Sequence, residues 1–119
     1  MINPLDLTGK AVMITGASKG IGAGTALYLS RLGARIIAVA RDSERLAATL
    51  AQLDGGGHQS ISFDLAEVDK IAPWMKDLAR SSGPLYGLVH SAGIAFNRSL
   101  QVFSAKNMSD TLRINLEAP

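Results

Sequence analysis

Short apolar runs alternate with helical segments along the chain. The runs lie at about residues 10–15, 35–40, 58–63 and 85–90, and the first is apolar and partly β-branched, as in a buried parallel strand. Helical segments follow them at about 20–32, from 42 or 43 to about 54, at about 68–79, and from about 104 into the end of the chain. The pattern predicts four strands, β1 to β4, that alternate with four helices, α1 to α4.

Capping residues, glycines and a proline define the predicted limits of two helices. Asp42 or Ser43 can cap the start of α2. The three glycines at 55–57 end it, because they cost too much backbone entropy to continue a helix. Pro73 lies in the path of α3, where it either kinks the helix or starts a second segment.

This alternation also predicts how the strands are arranged. Strands that alternate with helices form right-handed βαβ units and a parallel sheet. The fold class is therefore α/β, a Rossmann-like doubly wound parallel sheet in the order β3-β2-β1-β4. In that order, a ligand crevice lies at the carboxyl ends of β1 and β4. The 119 residues make one domain at most.

Glycine turns follow both strands that border this crevice. Residues 15–22, Thr-Gly-Ala-Ser-Lys-Gly-Ile-Gly, follow β1, and Ala92-Gly93 follow β4. We expect Gly16 to make the tight turn, Gly20 to allow a phosphate to approach, and Gly22 to let helix and strand touch. The start of α1 then offers N–H groups and a positive helix end to a nucleotide. The alternative is a glycine-rich turn without ligand, which two turns at one crevice disfavour. A Walker loop is excluded by the spacing.

Composition narrows the class of partner. The chain is 47% hydrophobic and 18% charged, with a net charge of +2 and both signs interspersed, so neither nucleic acid nor a membrane surface is expected as a partner. There is no cysteine, which excludes disulfides and thiolate metal sites, and no metal site is predicted. The start shows no signal-peptide pattern, and no apolar run approaches the ~20 residues that span a bilayer. We expect a cytoplasmic protein.

Four motifs in this order resemble the classical short-chain dehydrogenase/reductase family, and the resemblance covers the whole chain. They are the glycine turn at 15–22, Asp64-Leu65 after β3, His90-Ser91-Ala92-Gly93 after β4, and Asn115 in the last helix. The third motif is usually Asn-Asn-Ala-Gly in the family, so His90 and Ser91 depart from it. Within the family, the overall sequence pattern most resembles that of 3-oxoacyl-(acyl carrier protein) reductase-type members.

The resemblance implies an activity and a set of site residues. The activity is hydride transfer between a nicotinamide cofactor and a small carbonyl, alcohol or acyl-thioester substrate, in an intact protein that forms a homo-oligomer. Asn115 matches the Asn of the catalytic tetrad, which would bind a water of a proton relay. The implied cofactor-binding residues are Gly16, Ser18, Lys19, Gly20, Ile21, Gly22, Arg41, Asp64, Leu65, His90, Ala92 and Gly93.

The residues after β2 bear on the choice of cofactor. An NAD site typically has a carboxylate there that binds the ribose 2′-OH, whereas an NADP site typically has an Arg that binds the 2′-phosphate. Arg41 follows β2, and Lys19 in the glycine turn can place a second cation on the same phosphate. The rival interpretations are that Asp42 is the ribose carboxylate, or that both cations are solvated surface charges. We expect NADP(H) in preference to NAD(H), and the resemblance agrees.

Three of the site residues also have ordinary structural interpretations. Asp64 can be the N-cap of the next helix, a role compatible with contact to the adenine. His90 can be a hydrogen-bonded residue at a strand end, and we assign it no acid–base role. Asn115 can be an ordinary polar residue in a helix.

The family's Ser and Tyr-x-x-x-Lys pair have no counterpart in these residues. Neither Tyr28 nor Tyr86 has a Lys four positions later. We therefore expect residues 1–119 to be the N-terminal dinucleotide-binding part of a single, incomplete Rossmann domain, inactive alone. Its β4 would present an unpaired edge, which makes the isolated piece marginally stable, aggregation-prone or dependent on another chain. The alternative function is a non-catalytic NADP(H)-binding module that needs a partner.

Overall fold

Four strands form one parallel sheet in the computed structural model, which describes residues 4–93 and 104–119. The order β3-β2-β1-β4 confirms the predicted arrangement. Residues Thr15, Val39 and His90 lie at the carboxyl end of the sheet, since Thr15 pairs in register with both of the others. The strands are β1 (Ala11–Thr15), β2 (Arg35–Ala40), β3 (Gln59–Ser62) and β4 (Gly87–His90).

Four α-helices connect or follow these strands, and the α/β Rossmann-like class is confirmed. A 3-10 turn, Val68–Lys70, precedes α3, and a π-helical segment, Arg113–Glu117, continues α4. The helices are α1 (Gly20–Arg31), α2 (Ser43–Ala51), α3 (Ile71–Ser82) and α4 (Ala105–Leu112).

The prediction that the three glycines end α2 is wrong, and the structure decides between the two predictions for Pro73 in α3. Helix α2 ends at Ala51, before the three glycines, because its last turn tightens through a bond from Gln52 N–H to Thr49 O. The glycines form the loop instead, and two of them have positive φ. Pro73 lies in the first turn of α3, where its missing N–H costs nothing, so it belongs to the start of a second segment.

The two central strands, β1 and β2, are buried on both faces. One face packs on α1 and α2 through a cluster that includes Ile14, Ile36 and Leu46. The other face packs on α3 through Met13, Ile37, Val39 and Leu78. Full burial of β1 and β2 explains their continuous apolar sequences and holds their carboxyl ends rigidly.

Strand β4 lies at the edge of the sheet, as predicted. Within residues 4–93 and 104–119 it pairs with β1 alone. Leu88 on this strand is 54% exposed and the neighbouring Tyr86 is 62% exposed. In the same described residues, no helix is both long and apolar enough to cross a bilayer.

Candidate functional site

The two glycine turns touch each other at the carboxyl end of the sheet. Gly16 has φ +66°, and a Cβ there would lie 2.7 Å from the Ala92 nitrogen. A Cβ on Gly22 would collide with the Gly16 carbonyl group. Gly20 has φ +60°, but its missing Cβ points into open space. Gly16 and Gly22 thus allow close packing, whereas Gly20 keeps the outer side of the turn free.

The start of α1 is open to a ligand. Lys19 is its N-cap in an extended conformation, without a side-chain capping bond among the described residues. No acidic residue lies in the first turn, and Ile21 is 82% exposed. The first amides of this twelve-residue helix therefore have free hydrogens and a positive helix end that fit a phosphate group.

A threonine hydroxyl joins the two turns. Oγ1 of Thr15 accepts the backbone N–H groups of Ser91 at 3.1 Å and Ala92 at 3.3 Å. With both lone pairs engaged, the hydroxyl hydrogen is directed to Nδ1 of His90, which lies 2.9 Å away. The sequence analysis included Thr15 as the first residue of the glycine-turn motif but assigned it no role, because its only local signal is a hydroxyl at the end of a buried strand.

The same network constrains the His90 ring. With the Thr15 hydroxyl donating to Nδ1, we assign the tautomer that carries its hydrogen on Nε2. Nε2 is buried and has no acceptor among the residues that the structure describes. The imidazole therefore supports the contact between the turns, as the hydrogen-bonded interpretation expected, and its predicted contact with a cofactor stays a prediction.

A second threonine anchors the middle of the glycine turn. Ala17 is fully buried, and its N–H donates to the carbonyl of Val39 at 3.2 Å. The carbonyl of Ala17 accepts from Oγ1 of Thr49 on α2 at 3.0 Å. Ser18, the next residue, is half-buried beside it. Sequence inspection missed Thr49, because nothing in the α2 pattern shows which partner its hydroxyl takes.

The two charged residues directly after β2 have different roles in the structure: Asp42 caps a helix, and Arg41 forms no ion pair among the described residues. Asp42 accepts the N–H groups of Glu44 and Arg45, both at 3.1 Å, and also pairs with the Arg45 side chain at 3.4 Å. Its carboxylate is thus engaged as the N-cap of α2. Arg41 and Lys19 are exposed, and neither forms an ion pair within residues 4–93 and 104–119.

Asp64 and Leu65 lie beyond the end of β3. Oδ1 of Asp64 accepts the N–H of Ala66 at 2.9 Å, and its backbone carbonyl accepts from Glu67. Asp64 therefore caps a turn and not a helix, because the following 3-10 segment has Glu67 as its N-cap. Leu65 is buried and fixes the backbone of this turn.

Asn115 lies in the π-helical segment and beside the second glycine turn. Its Oδ1 would be 3.3 Å from a Cβ on Gly93, so a side chain at that glycine would press on the amide. The backbone bond from Ala118 N–H to Arg113 O closes the wide turn around it. π-helical turns occur frequently at functional sites. The structure thus brings Asn115 to the same end of the sheet as both glycine turns.

The described residues contain no group of three or more His, Cys, Asp or Glu side chains that could hold a metal ion. The donors gathered at the carboxyl end of the sheet are instead backbone N–H groups and cationic side chains. Such donors recognise anionic oxygens and can hold a phosphorylated cofactor.

Comparison with known proteins identifies the family. A family model for short chain dehydrogenase matches residues 10–119. D-threitol dehydrogenase of Mycolicibacterium smegmatis is 37% identical over 112 residues, which are 92% of this chain and 43% of that protein. The 3-oxoacyl-(acyl-carrier-protein) reductase FabG of Vibrio harveyi is 30% identical over 112 residues, 94% of this chain and 46% of that protein. The chain spans less than half the length of these relatives.

Solved structures share the fold. A metagenomic short-chain oxidoreductase in complex with NADP has a TM-score of 0.88 at 35% identity, covering 95% of this chain and 52% of that one. A short-chain type dehydrogenase/reductase from Mycobacterium marinum has a TM-score of 0.86 at 27% identity, covering 96% of this chain and 47% of that one. With its two glycine turns, its strand order and these relatives, the chain belongs to the short-chain dehydrogenase family of oxidoreductases.

Proposed function

We propose that this chain binds NADP(H) and supplies the cofactor-binding part of an oxidoreductase that acts on a carbonyl or alcohol substrate. The observation that carries the proposal is the open start of α1 in a glycine turn that packs against the second glycine turn. Lys19 and Arg41 form no ion pair among the described residues. When bound, NADP(H) supplies or accepts the hydride. The described residues bind and orient it.

The pyrophosphate belongs at the start of α1. The amides after Lys19 are uncapped in this region of the structure, and the open side of Gly20 leaves room for phosphate oxygens. Rigid contact between Gly22 and Gly16 holds these amides in place before the cofactor arrives. Preorganised N–H groups at a helix end stabilise a phosphate without a costly rearrangement.

The 2′-phosphate belongs between Lys19 and Arg41. A guanidinium offers a planar pair of donors and an ammonium a point charge, so the two are complementary partners for one phosphate. The engagement of Asp42 as a helix cap weighs against its use as a ribose carboxylate. The neighbour at 35% identity that was solved with NADP supports the same choice.

We expect the adenine to lie at Asp64 and the nicotinamide to lie near the second glycine turn. Asp64 uses Oδ1 for its turn, and we propose that the remaining carboxylate oxygen accepts from the adenine amino group. Leu65 supports the backbone there. Ala92 and Gly93 would line the path towards the nicotinamide, with Asn115 close to Gly93.

The chemistry requires residues beyond these 119. Within this sequence neither tyrosine is followed by Lys at the fourth position, and the chain spans less than half of its relatives. We propose that residues 1–119 form the N-terminal part of one Rossmann domain and are inactive alone. We further propose a small-molecule carbonyl or acyl-thioester substrate, a cytoplasmic location and a homo-oligomeric intact protein.

A non-catalytic NADP(H)-binding module that needs a partner is the second candidate. One experiment separates the two. The intact protein is titrated with NADPH and NADH by calorimetry, and oxidation of NADPH is then followed by absorbance with a panel of small ketones and acyl thioesters. Tighter NADPH binding with turnover supports the oxidoreductase, whereas binding without turnover supports the module. Absence of NADPH binding would refute both.

A further inference from the structure

Thr49 makes a hydrogen bond that other helical threonines of this chain do not make. Oγ1 of Thr25 bonds to Ile21 and that of Thr111 to Asn107, in each case the carbonyl four residues earlier in the same helix. This local bond is the usual one for a threonine inside a helix. Thr49 instead crosses from α2 to the carbonyl of Ala17 in the glycine turn, at 3.0 Å and with only 6% of the residue exposed.

Ala17 depends on this hydroxyl. Its carbonyl has no other hydrogen-bond donor among the described residues, and Ala17 itself is fully buried. A buried carbonyl that loses its hydrogen-bond partner is left with the uncompensated cost of its removal from water. Without the Thr49 hydroxyl, the turn lowers its free energy when the Ala17 carbonyl rotates towards water. The present conformation of the turn is then less populated.

The same anchor couples the two cations of the proposed phosphate site. Lys19 lies two residues after Ala17, and Arg41 lies two residues after Val39, the residue whose carbonyl accepts from Ala17 N–H. The two bonds of Ala17 thus tie the turn to both β2 and α2. The start of α1 has a separate support in the close packing of Gly22 on Gly16. Loss of the Thr49 bond should loosen residues 17–18 and thereby change the direction of the Lys19 side chain relative to Arg41. The start of α1 should stay nearly in place, because the Lys19 carbonyl still accepts the N–H of Ala23.

We propose that Thr49 is a positioning residue that sets the preference for a 2′-phosphorylated cofactor, by holding Ala17 so that Lys19 and Arg41 converge on one phosphate. This inference rests on the proposed function. It predicts that removal of the hydroxyl weakens NADPH binding much more than NADH binding, because NADH needs the start of α1 but not the paired cations.

The test compares three variants of the intact protein. Thr49→Val keeps the shape and removes the hydroxyl, and Thr49→Ser keeps the hydroxyl. Ser30→Ala is the control: it removes another buried hydroxyl, which bonds to Leu27 O and Asp54 N at the far end of α1. Dissociation constants for NADPH and NADH are measured by calorimetry, and circular dichroism melts check that each variant is folded.

We expect Thr49→Val to raise the dissociation constant of NADPH about tenfold and that of NADH less than about threefold, through the lower population of the competent turn. Thr49→Ser and Ser30→Ala should keep the wild-type ratio of the two constants within about twofold. Equal losses for both cofactors in Thr49→Val, or an equal change of the ratio in Ser30→Ala, would overturn the inference. Should Thr49→Val fail to fold, Thr49→Ala replaces it, because it removes the same hydroxyl with a smaller side chain: a selective loss of NADPH affinity supports the inference, and an equal loss for both cofactors overturns it. A wild-type protein without preference for NADPH would overturn the proposed cofactor as well, which distinguishes the two failures.

Discussion

Replacement of Arg41 by alanine tests the proposed 2′-phosphate site most sharply. Arg41 is exposed, has no acidic partner among the described residues, and follows β2 at the carboxyl end of the sheet. Its side chain forms no hydrogen bond with the described residues, and its backbone carbonyl accepts from the hydroxyl of Ser62 at 2.8 Å. Arg41→Ala should therefore leave the fold intact and remove only the interaction with ligand.

The size of the effect follows from the exposure of the guanidinium. A charge-assisted hydrogen bond contributes about 1.5–3 kcal/mol, and screening by water at an exposed site lowers the bottom of this range to about 1 kcal/mol. A loss of about 1–3 kcal/mol corresponds to a roughly 5- to 150-fold weaker binding of NADPH. NADH lacks the 2′-phosphate, so its affinity should be nearly unchanged.

Calorimetric titration of wild type, Arg41→Ala and Arg45→Ala measures this difference. Arg45 is the matched control, since it is an exposed arginine close in sequence but is paired with Asp42. The NADPH advantage of the wild type should shrink as salt is raised, because added ions screen exposed charges. An equal loss of NADPH and NADH in Arg41→Ala, or an equal effect of Arg45→Ala on NADPH, would refute the assignment.

Two further substitutions test the cap and the turn. Asp42→Ala should lower the free energy of unfolding by about 0.5–2 kcal/mol, because the helix cap is lost. The affinity for NADH should not change. A weaker NADH complex would instead indicate that Asp42 binds the ribose. Gly22→Ala should destabilise the protein by about 1–3 kcal/mol and weaken both cofactors, because its Cβ collides with the Gly16 carbonyl group. Gly24→Ala is the control in the same helix, because a Cβ there meets open space. It should stabilise the protein by up to about 1 kcal/mol. Thermal melts in which the two glycine variants behave alike would contradict this account.

The two glycine turns could be predicted because their signals are local, and the strand order because right-handed βαβ units restrict the possible arrangements. Continuous apolar runs identify β1 and β2 as strands buried on both faces, and glycine marks turns that no other residue can make. Gly16 and Gly22 illustrate this, since the space for a side chain is missing at both. The limits of α2 were less predictable, because its last turn tightened several residues before the glycines at 55–57.

The hydroxyl contacts at the centre of the site could not be predicted from the sequence. Thr15, Thr25 and Thr49 look alike in sequence, yet Thr25 bonds within its own helix while the other two cross to another element. Which partner a short polar side chain takes depends on tertiary packing, which brings Thr49 and Ala17 together across 32 residues. Motif inspection therefore found the glycines and cations of the proposed site but not the side chains that hold the glycine turn in place.

The central claim, that this end of the sheet holds a 2′-phosphorylated dinucleotide, is tested most directly with two ligands that differ only in that phosphate. Adenosine 2′,5′-bisphosphate and adenosine 5′-monophosphate are titrated into the intact protein by calorimetry at low salt. The account predicts that the bisphosphate binds at least about tenfold more tightly, because Lys19 and Arg41 each meet the added phosphate. Equal affinities for the two ligands would contradict it.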